Sequence, residues 1–213
     1  MGKQKISSET SWKETKFGIL PRSKIIQLEI QGTRKGLLLL QQIAKNKEPL
    51  SIELIKNIHK ECFGDILQNY AGIFRTVQVE YSGIEAPHFS KIHEMMQNLV
   101  SDTEYALKQL PVKESDAYIT DMAELLALFQ HRCVVIHPFV DYNGRMSRMF
   151  TNYLLMREEL PTIEIPVTTN LLRKKYIQAL QKADEGNYQA LQDIIGKAMN
   201  ESLESIGKSV VLK

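Results

Sequence analysis

One loop constrains the chain more than any other stretch: Ile136-His137-Pro138-Phe139-Val140-Asp141-Tyr142-Asn143-Gly144-Arg145-Met146-Ser147-Arg148. It joins two apolar helical patterns and carries an imidazole, a carboxylate, an amide, a glycine and two guanidiniums. Pro138 must stop the incoming helix, because proline lacks an N–H and disfavours helix at the residue before it. Asn143 is then placed to cap the outgoing helix, accepting from the N–H groups left without partners in its first turn. Gly144 lets the backbone approach a ligand closely. A helix N-terminus of this kind aims donors and positive dipole at one point, and phosphate suits it. Arg145 and Arg148, spaced i, i+3, share a helical face and can grip one anion from two sides. Asp141 offers a carboxylate to a divalent cation, and Mg²⁺ usually takes one or two carboxylates together with substrate phosphates. His137 is the one group in the loop able to accept a proton near neutral pH. A capping loop with arginines paired to surface acids would account for any one of these residues. The whole set describes a nucleotide-phosphate site with a base beside it.

The rest of the composition narrows the class. The chain has 213 residues, enough for one sizeable domain with a complete core. Lys plus Arg number 27 against 25 for Asp plus Glu, so no basic excess points to nucleic acid. Cys62 and Cys133 both fall in apolar helical surroundings and read as reduced core residues. The polar N-terminus has no hydrophobic signal region, and the Leu37–Leu40 run is interrupted at once by Gln41-Gln42. These features predict a cytoplasmic protein with no membrane partner. An effector delivered into another cell would look the same.

Helical spacing recurs along most of the chain. It predicts a helix from Lys24 to Lys45 with Ile26, Ile30, Leu37, Leu40 and Ile43 facing inward. A second helix is capped by Ser51 and carries His59 as a packed core residue. A third covers 88–110, and the most apolar, Asp116 to Ile136, should be central and fix where His137 points. After the loop come a helix through Met156, another from Asn170 to Ala183 and a last one through Ala198. Alternation in Thr76–Tyr81, followed by Ser82-Gly83, is the one good strand signal and predicts a hairpin.

His137-Pro138-Phe139-x-Asp141-x-Asn143-Gly144-Arg145-x-x-Arg148 resembles the signature of the Fic-domain proteins, His-Pro-Phe-x-(Asp/Glu)-Gly-Asn-Gly-Arg-x-x-Arg. The resemblance covers about residues 24–200. It implies an all-α Fic fold, a helical bundle with a short β-hairpin flap beside the active-site loop, preceded by an arm over 1–23 and followed by a tail over 201–213. Tyr142 departs from the signature glycine, and a bulky residue there resists positive φ. Either the loop holds another backbone conformation or the tyrosine projects into the target-facing mouth.

The activity that the resemblance implies is AMPylation, the transfer of AMP from ATP to a protein hydroxyl. ATP phosphates would lie on the turn Tyr142, Asn143, Gly144, Arg145 and Met146, with Asp141 holding Mg²⁺. Arg145 would serve the β-phosphate, Arg148 the γ-phosphate, and His137 would be the base. Phe139 would plug the core and anchor the loop. The 76–87 flap would align the target protein, with Val79, Glu80, Tyr81 and Ser82 near the ATP; Tyr176 and Asp184 stand where relatives approach the adenine. Relatives often carry an inhibitory helix, Ser/Thr-x-x-x-Glu-Gly/Asn, whose glutamate pairs with the second motif arginine. Here Thr10 to Glu14 is the nearest match, and control by a separate inhibitory protein is the alternative. The apolar residues of the arm leave room for a homodimer. Gly144 argues against the kinase-like group that has lysine there. Two rivals stay open: a Fic-fold transferase using phosphocholine or another nucleotide, and a catalytically idle binding module.

Overall fold

A computed structural model describes residues 12–81 and 83–211. Two short hairpins and seven α-helices are found among them. The N-terminal hairpin pairs β1 (Trp12–Thr15) with β2 (Gly18–Pro21), in the register Glu14↔Ile19 and Thr15↔Gly18. Thr15 Oγ1 donates to the Gly18 carbonyl at 2.8 Å, and the Lys16 N–H reaches the Asp65 carbonyl at 3.1 Å. The inhibitory helix expected at Thr10–Glu14 is therefore not formed over its described part. Glu14 belongs to a strand, while Thr10, Ser11 and the Glu14 side chain lie outside what is described.

Helix α1 (Arg22–Lys45) buries Ile25, Glu29, Gly36, Leu40 and Ala44. Ile26 and Ile30, expected to face inward, are exposed at 40% and 63%. Periodicity misplaced them because the true inward stripe contains a charged residue and glycine. Those glycines have a steric reason: a Cβ on Gly32 would stand 1.8 Å from the Cys62 carbonyl oxygen, and one on Gly36 would stand 2.2 Å from Cys62 Sγ. Helix α2 (Ile52–Leu67) lies against them, capped by Ser51, whose Oγ accepts the Leu54 N–H at 3.0 Å.

The loop that follows turns at Gly72, where φ is +76° and a Cβ would meet the Lys56 carbonyl at 2.8 Å. It leads into the second hairpin, β3 (Glu80–Tyr81) with β4 (Ile84–Glu85). The expected strand from Thr76 is shorter than the alternation suggested, since only Glu80 and Tyr81 pair. Gly83, at φ +80°, makes the turn.

Helices α3 (Ile92–Gln109), α4 (Tyr118–Ile136), α5 (Asn143–Arg157), α6 (Asn170–Asp184) and α7 (Gln189–Val211) complete the bundle. α4 packs against α3, α5, α6 and α7 and is the central helix, with Met122, Leu126 and Ala127 fully buried. It ends at Ile136, as Pro138 requires, and His137 closes it in a left-handed conformation with φ 49°. α7 continues well past Ala198. Cys62 and Cys133 are buried free thiols, and burial pushes both up to about 12. No described helix is long and apolar enough to cross a membrane.

Candidate active site

The loop between α4 and α5 is held from below by packing. Phe139 is fully buried and stacks on His59, with ring centroids 3.7 Å apart. His59 Nδ1 accepts the Gly72 N–H at 2.9 Å, while Nε2 faces the Asp141 carbonyl at 3.3 Å. Those partners fix the tautomer with the proton on Nε2. Burial drives the His59 pKa down to about 4, although the Asp141 carbonyl and carboxylate oppose it. A second proton would have to displace the Gly72 bond.

That arrangement makes a stability prediction. Below about 6.5 an unfolded chain protonates His59 and the native chain does not, so the unfolded state binds more protons and stability falls as pH falls. The loss accumulates between about 6.5 and 4 and reaches roughly 3 kcal/mol for His59 alone. Urea unfolding at pH 7.5, 6 and 5 checks it, and a flat profile would show that this ring is not held neutral.

Asn143 corrects an expectation. It does not cap α5: it is the first helical residue, and both ends of its amide bind the backbone of Phe139. Oδ1 accepts the Phe139 N–H at 2.8 Å, and Nδ2 donates to the Phe139 carbonyl at 2.9 Å. The capping position belongs to Tyr142, and no side chain caps the helix there. The N–H groups of Arg145 and Met146 turn back to the Tyr142 carbonyl, each at 3.0 Å. For the N–H groups of Asn143 and Gly144 no acceptor is found among the described residues. A Cβ on Gly144 would meet only Arg148 Nη1, at 3.5 Å, so the protein itself does not demand glycine. The turn is open where an anion would sit.

Tyr142 answers the question its position raised, and neither alternative holds. Its backbone does take the left-handed conformation, with φ 64°. Its side chain points into the core instead of the mouth: it is 7% exposed and stacks on Phe63 at 4.0 Å. The hydroxyl donates to Glu29 Oε1 at 2.9 Å. The ring therefore lies in the core, and the Tyr142 backbone leads into the turn.

The two arginines diverge. Arg145 Nη2 donates to Glu29 Oε2 at 2.8 Å, toward α1. Arg148 leans the other way, its guanidinium 6.0 Å from the Tyr176 ring on α6. Asp141 stands at the mouth, Oδ1 accepting the Tyr142 N–H at 2.7 Å. Among the described residues no group of three His, Cys, Asp or Glu gathers as a metal cluster. The Asp141 carboxylate beside the first turn of α5 would fit Mg²⁺ as a ligand shared with nucleotide phosphates.

His137 is aimed by its neighbours. Its Nδ1 lies 3.2 Å from the Val134 carbonyl, which places the proton there and leaves the lone pair on Nε2. Burial lowers its pKa to about 4, with the Arg75 charge in the same direction and the Val134 and Asp141 contacts opposing. The Tyr81 ring of the hairpin lies parallel to the imidazole, with centroids 4.8 Å apart. The flap and the candidate base are thus brought together. Tyr176 is buried, and its hydroxyl donates to Gln130 at 2.6 Å. Asp184 is bound by His131 Nε2 at 2.8 Å. Val79 lies at the hairpin base, its carbonyl accepting the Ala86 N–H at 3.0 Å; Glu80 is exposed, and Ser82 lies outside the described residues.

Two residues at the site were not foreseen. Arg75 is 3% exposed and fans its donors onto carbonyls: Nε to His137 at 2.8 Å, Nη1 to Val77 at 2.9 Å, Nη2 to Pro87 at 2.6 Å and Ile136 at 3.5 Å. Its own N–H reaches the Pro138 carbonyl at 2.9 Å. This guanidinium ties the segments flanking the hairpin to the loop, beside the Arg75 backbone bond and the Tyr81–His137 stack. Glu29 is the other, and its position in line with Ile25, Gly36 and Leu40 was the available signal.

The model of the Fic/DOC family matches residues 49–155, half of the chain and the whole of this loop. The chain belongs to the Fic/DOC family. The protein adenylyltransferase Fic of Drosophila willistoni is 28% identical over 193 residues, which are 90% of this chain and 36% of the relative. The protein adenylyltransferase fic-1 of Caenorhabditis elegans is 27% identical over 167 residues, 76% of this chain and 30% of its own. The chain spans about a third of the length of these curated relatives. Among solved structures, C. elegans Fic-1 (aa134–508) superposes with a TM-score of 0.71 at 25% identity, over 87% of this chain and 52% of that one. BepC of Bartonella tribocorum, solved with bound AMPPNP, superposes with a TM-score of 0.64 at 19% identity, over 90% of this chain and 94% of its own. The all-α Fic fold with its short flap is thereby established.

Proposed function

We propose that this chain is a protein adenylyltransferase, transferring AMP from ATP to a Tyr, Ser or Thr hydroxyl of a target protein, with residues 24–200 as the catalytic unit. One observation carries the reading: the Val134 carbonyl holds His137 Nδ1, which keeps Nε2 basic in the loop that opens the α5 anion turn. The adenylyltransferase relatives and the AMPPNP-bound neighbour support the choice of donor.

The turn at Asn143 and Gly144 would receive the α- and β-phosphates, and Arg145 and Arg148 would meet the triphosphate from opposite sides. Asp141 would share Mg²⁺ with those phosphates; when bound, the ion neutralises charge on the leaving pyrophosphate. The flap would align a segment of the target by strand addition, and Tyr81 would shift off His137 to admit the hydroxyl. The hydroxyl oxygen attacks the α-phosphorus as its proton passes to His137 Nε2. The bond to the β-phosphate oxygen breaks, and pyrophosphate leaves. Bound triphosphate would raise the imidazole from its depressed pKa toward the range in which a base is most effective. Positioning and preorganised charge supply most of the remaining acceleration.

Incubating the protein with Mg²⁺ and ATP labelled at either the α- or the γ-phosphate, in cell lysate and alone, tests this. Protein-bound α-label is the expected result. Protein-bound γ-label would make the chain a kinase, and label of neither kind would overturn transfer from ATP.

A further inference from the structure

We propose that Glu29 is a positioning residue of this site: it ties Tyr142 and Arg145 to α1 and so fixes both ends of the turn that receives phosphate. The proposal rests on the phosphate reading of that turn. Glu29 itself lies outside the 49–155 stretch that the family model matches.

A carboxylate only 4% exposed in mid-helix is costly unless its charge is met. Here both oxygens are used. Oε1 accepts the Tyr142 hydroxyl at 2.9 Å and Arg22 Nη1 at 3.2 Å; Oε2 accepts Arg145 Nη2 at 2.8 Å. Burial opposes ionisation, but the Arg145 hydrogen bond and charge, with Tyr142 and Arg22, outweigh it and hold the carboxyl below its ordinary range.

The two loop partners bracket Asn143 and Gly144, whose N–H groups open the helix. At one end Tyr142 holds a left-handed backbone that a bulky residue disfavours, kept there by its stack on Phe63 and its bond to Glu29. At the other end Arg145 is drawn across the Tyr142 ring, 5.2 Å from its centroid. Glu29 engages it through Nη2 alone. A guanidinium has five N–H donors, and the Arg145 side chain is 35% exposed, so the remaining donors stay accessible to an anion. The contact orients the arginine without consuming it.

A mutant cycle on the full chain reads this, with ATP and Mg²⁺ titrated by calorimetry and thermal unfolding followed in parallel. Glu29→Gln keeps size and acceptor but removes the charge. It is expected to weaken ATP binding about tenfold, the scale of one charge-assisted hydrogen bond. In an Arg145→Ala background the same change is expected to have no further effect. Tyr142→Phe, which deletes only the hydroxyl, is expected to cost about threefold, and it carries the test if Glu29→Gln does not fold. Unchanged affinity would overturn the proposal. So would tighter binding, which would make Glu29 a restraint on Arg145, and so would a full loss persisting without Arg145. Because binding is read and not transfer, failure of the adenylyl reading would show separately, as a wild-type chain that binds ATP but incorporates no α-label.

Discussion

His137→Ala is expected to lower AMP transfer by about 10²–10⁴-fold while ATP affinity stays within a few-fold of wild type. The asymmetry follows from what the ring touches. One nitrogen is committed to the Val134 carbonyl and the face to Tyr81, so the imidazole contributes little to holding a nucleotide. In the proposed reaction its work would be confined to the proton that leaves as the new P–O bond forms, and an interaction made only in the transition state changes kcat rather than ground-state binding. Rates of α-label incorporation at saturating ATP, with a parallel binding titration, measure both. A variant that kept most of its rate would remove His137 from the role of base.

Arg75→Ala is expected to destabilise the fold by about 3–4 kcal/mol. The N–H groups of this buried guanidinium satisfy the carbonyls of Ile136, His137, Val77 and Pro87. Truncation strands those acceptors and leaves hairpin and loop joined by the position-75 backbone bond and the Tyr81–His137 stack. Arg75→Lys should recover little, since one ammonium cannot fan across carbonyls on two segments. Urea unfolding with the linear extrapolation measures the loss. A change below about 1 kcal/mol would mean that hairpin and loop are held by other contacts.

Much of the site was legible because its chemistry is local. His137 to Arg148 is one continuous loop, Pro138 ends α4 where a proline should, and Ser51 caps α2 as its hydroxyl allows. What escaped was chemistry made by distant residues. Glu29 reaches Arg145 and Tyr142 across more than a hundred residues of sequence, and a charged group in a helix reads as solvated until its partners are known. For the same reason Ile26 and Ile30 read as core although Ile25 and Glu29 take the buried positions, while Leu40 lies inside as its spacing suggested. Tyr142 was read as a steric problem, but an aromatic partner at Phe63 and a carboxylate at Glu29 turn its strained backbone into an anchor. Asn143 read as a cap because its neighbours fitted that role; the structure spends its amide on Phe139 instead.

The most direct measurement is a crystal structure of the full chain with Mg²⁺ and a non-hydrolysable ATP analogue. The expected result is a triphosphate on the first turn of α5, its oxygens about 3 Å from the N–H groups of Asn143 and Gly144, with His137 Nε2 facing the α-phosphorus. A nucleotide bound elsewhere, or an imidazole rotated off Val134 with Nε2 turned into the protein, would contradict the account.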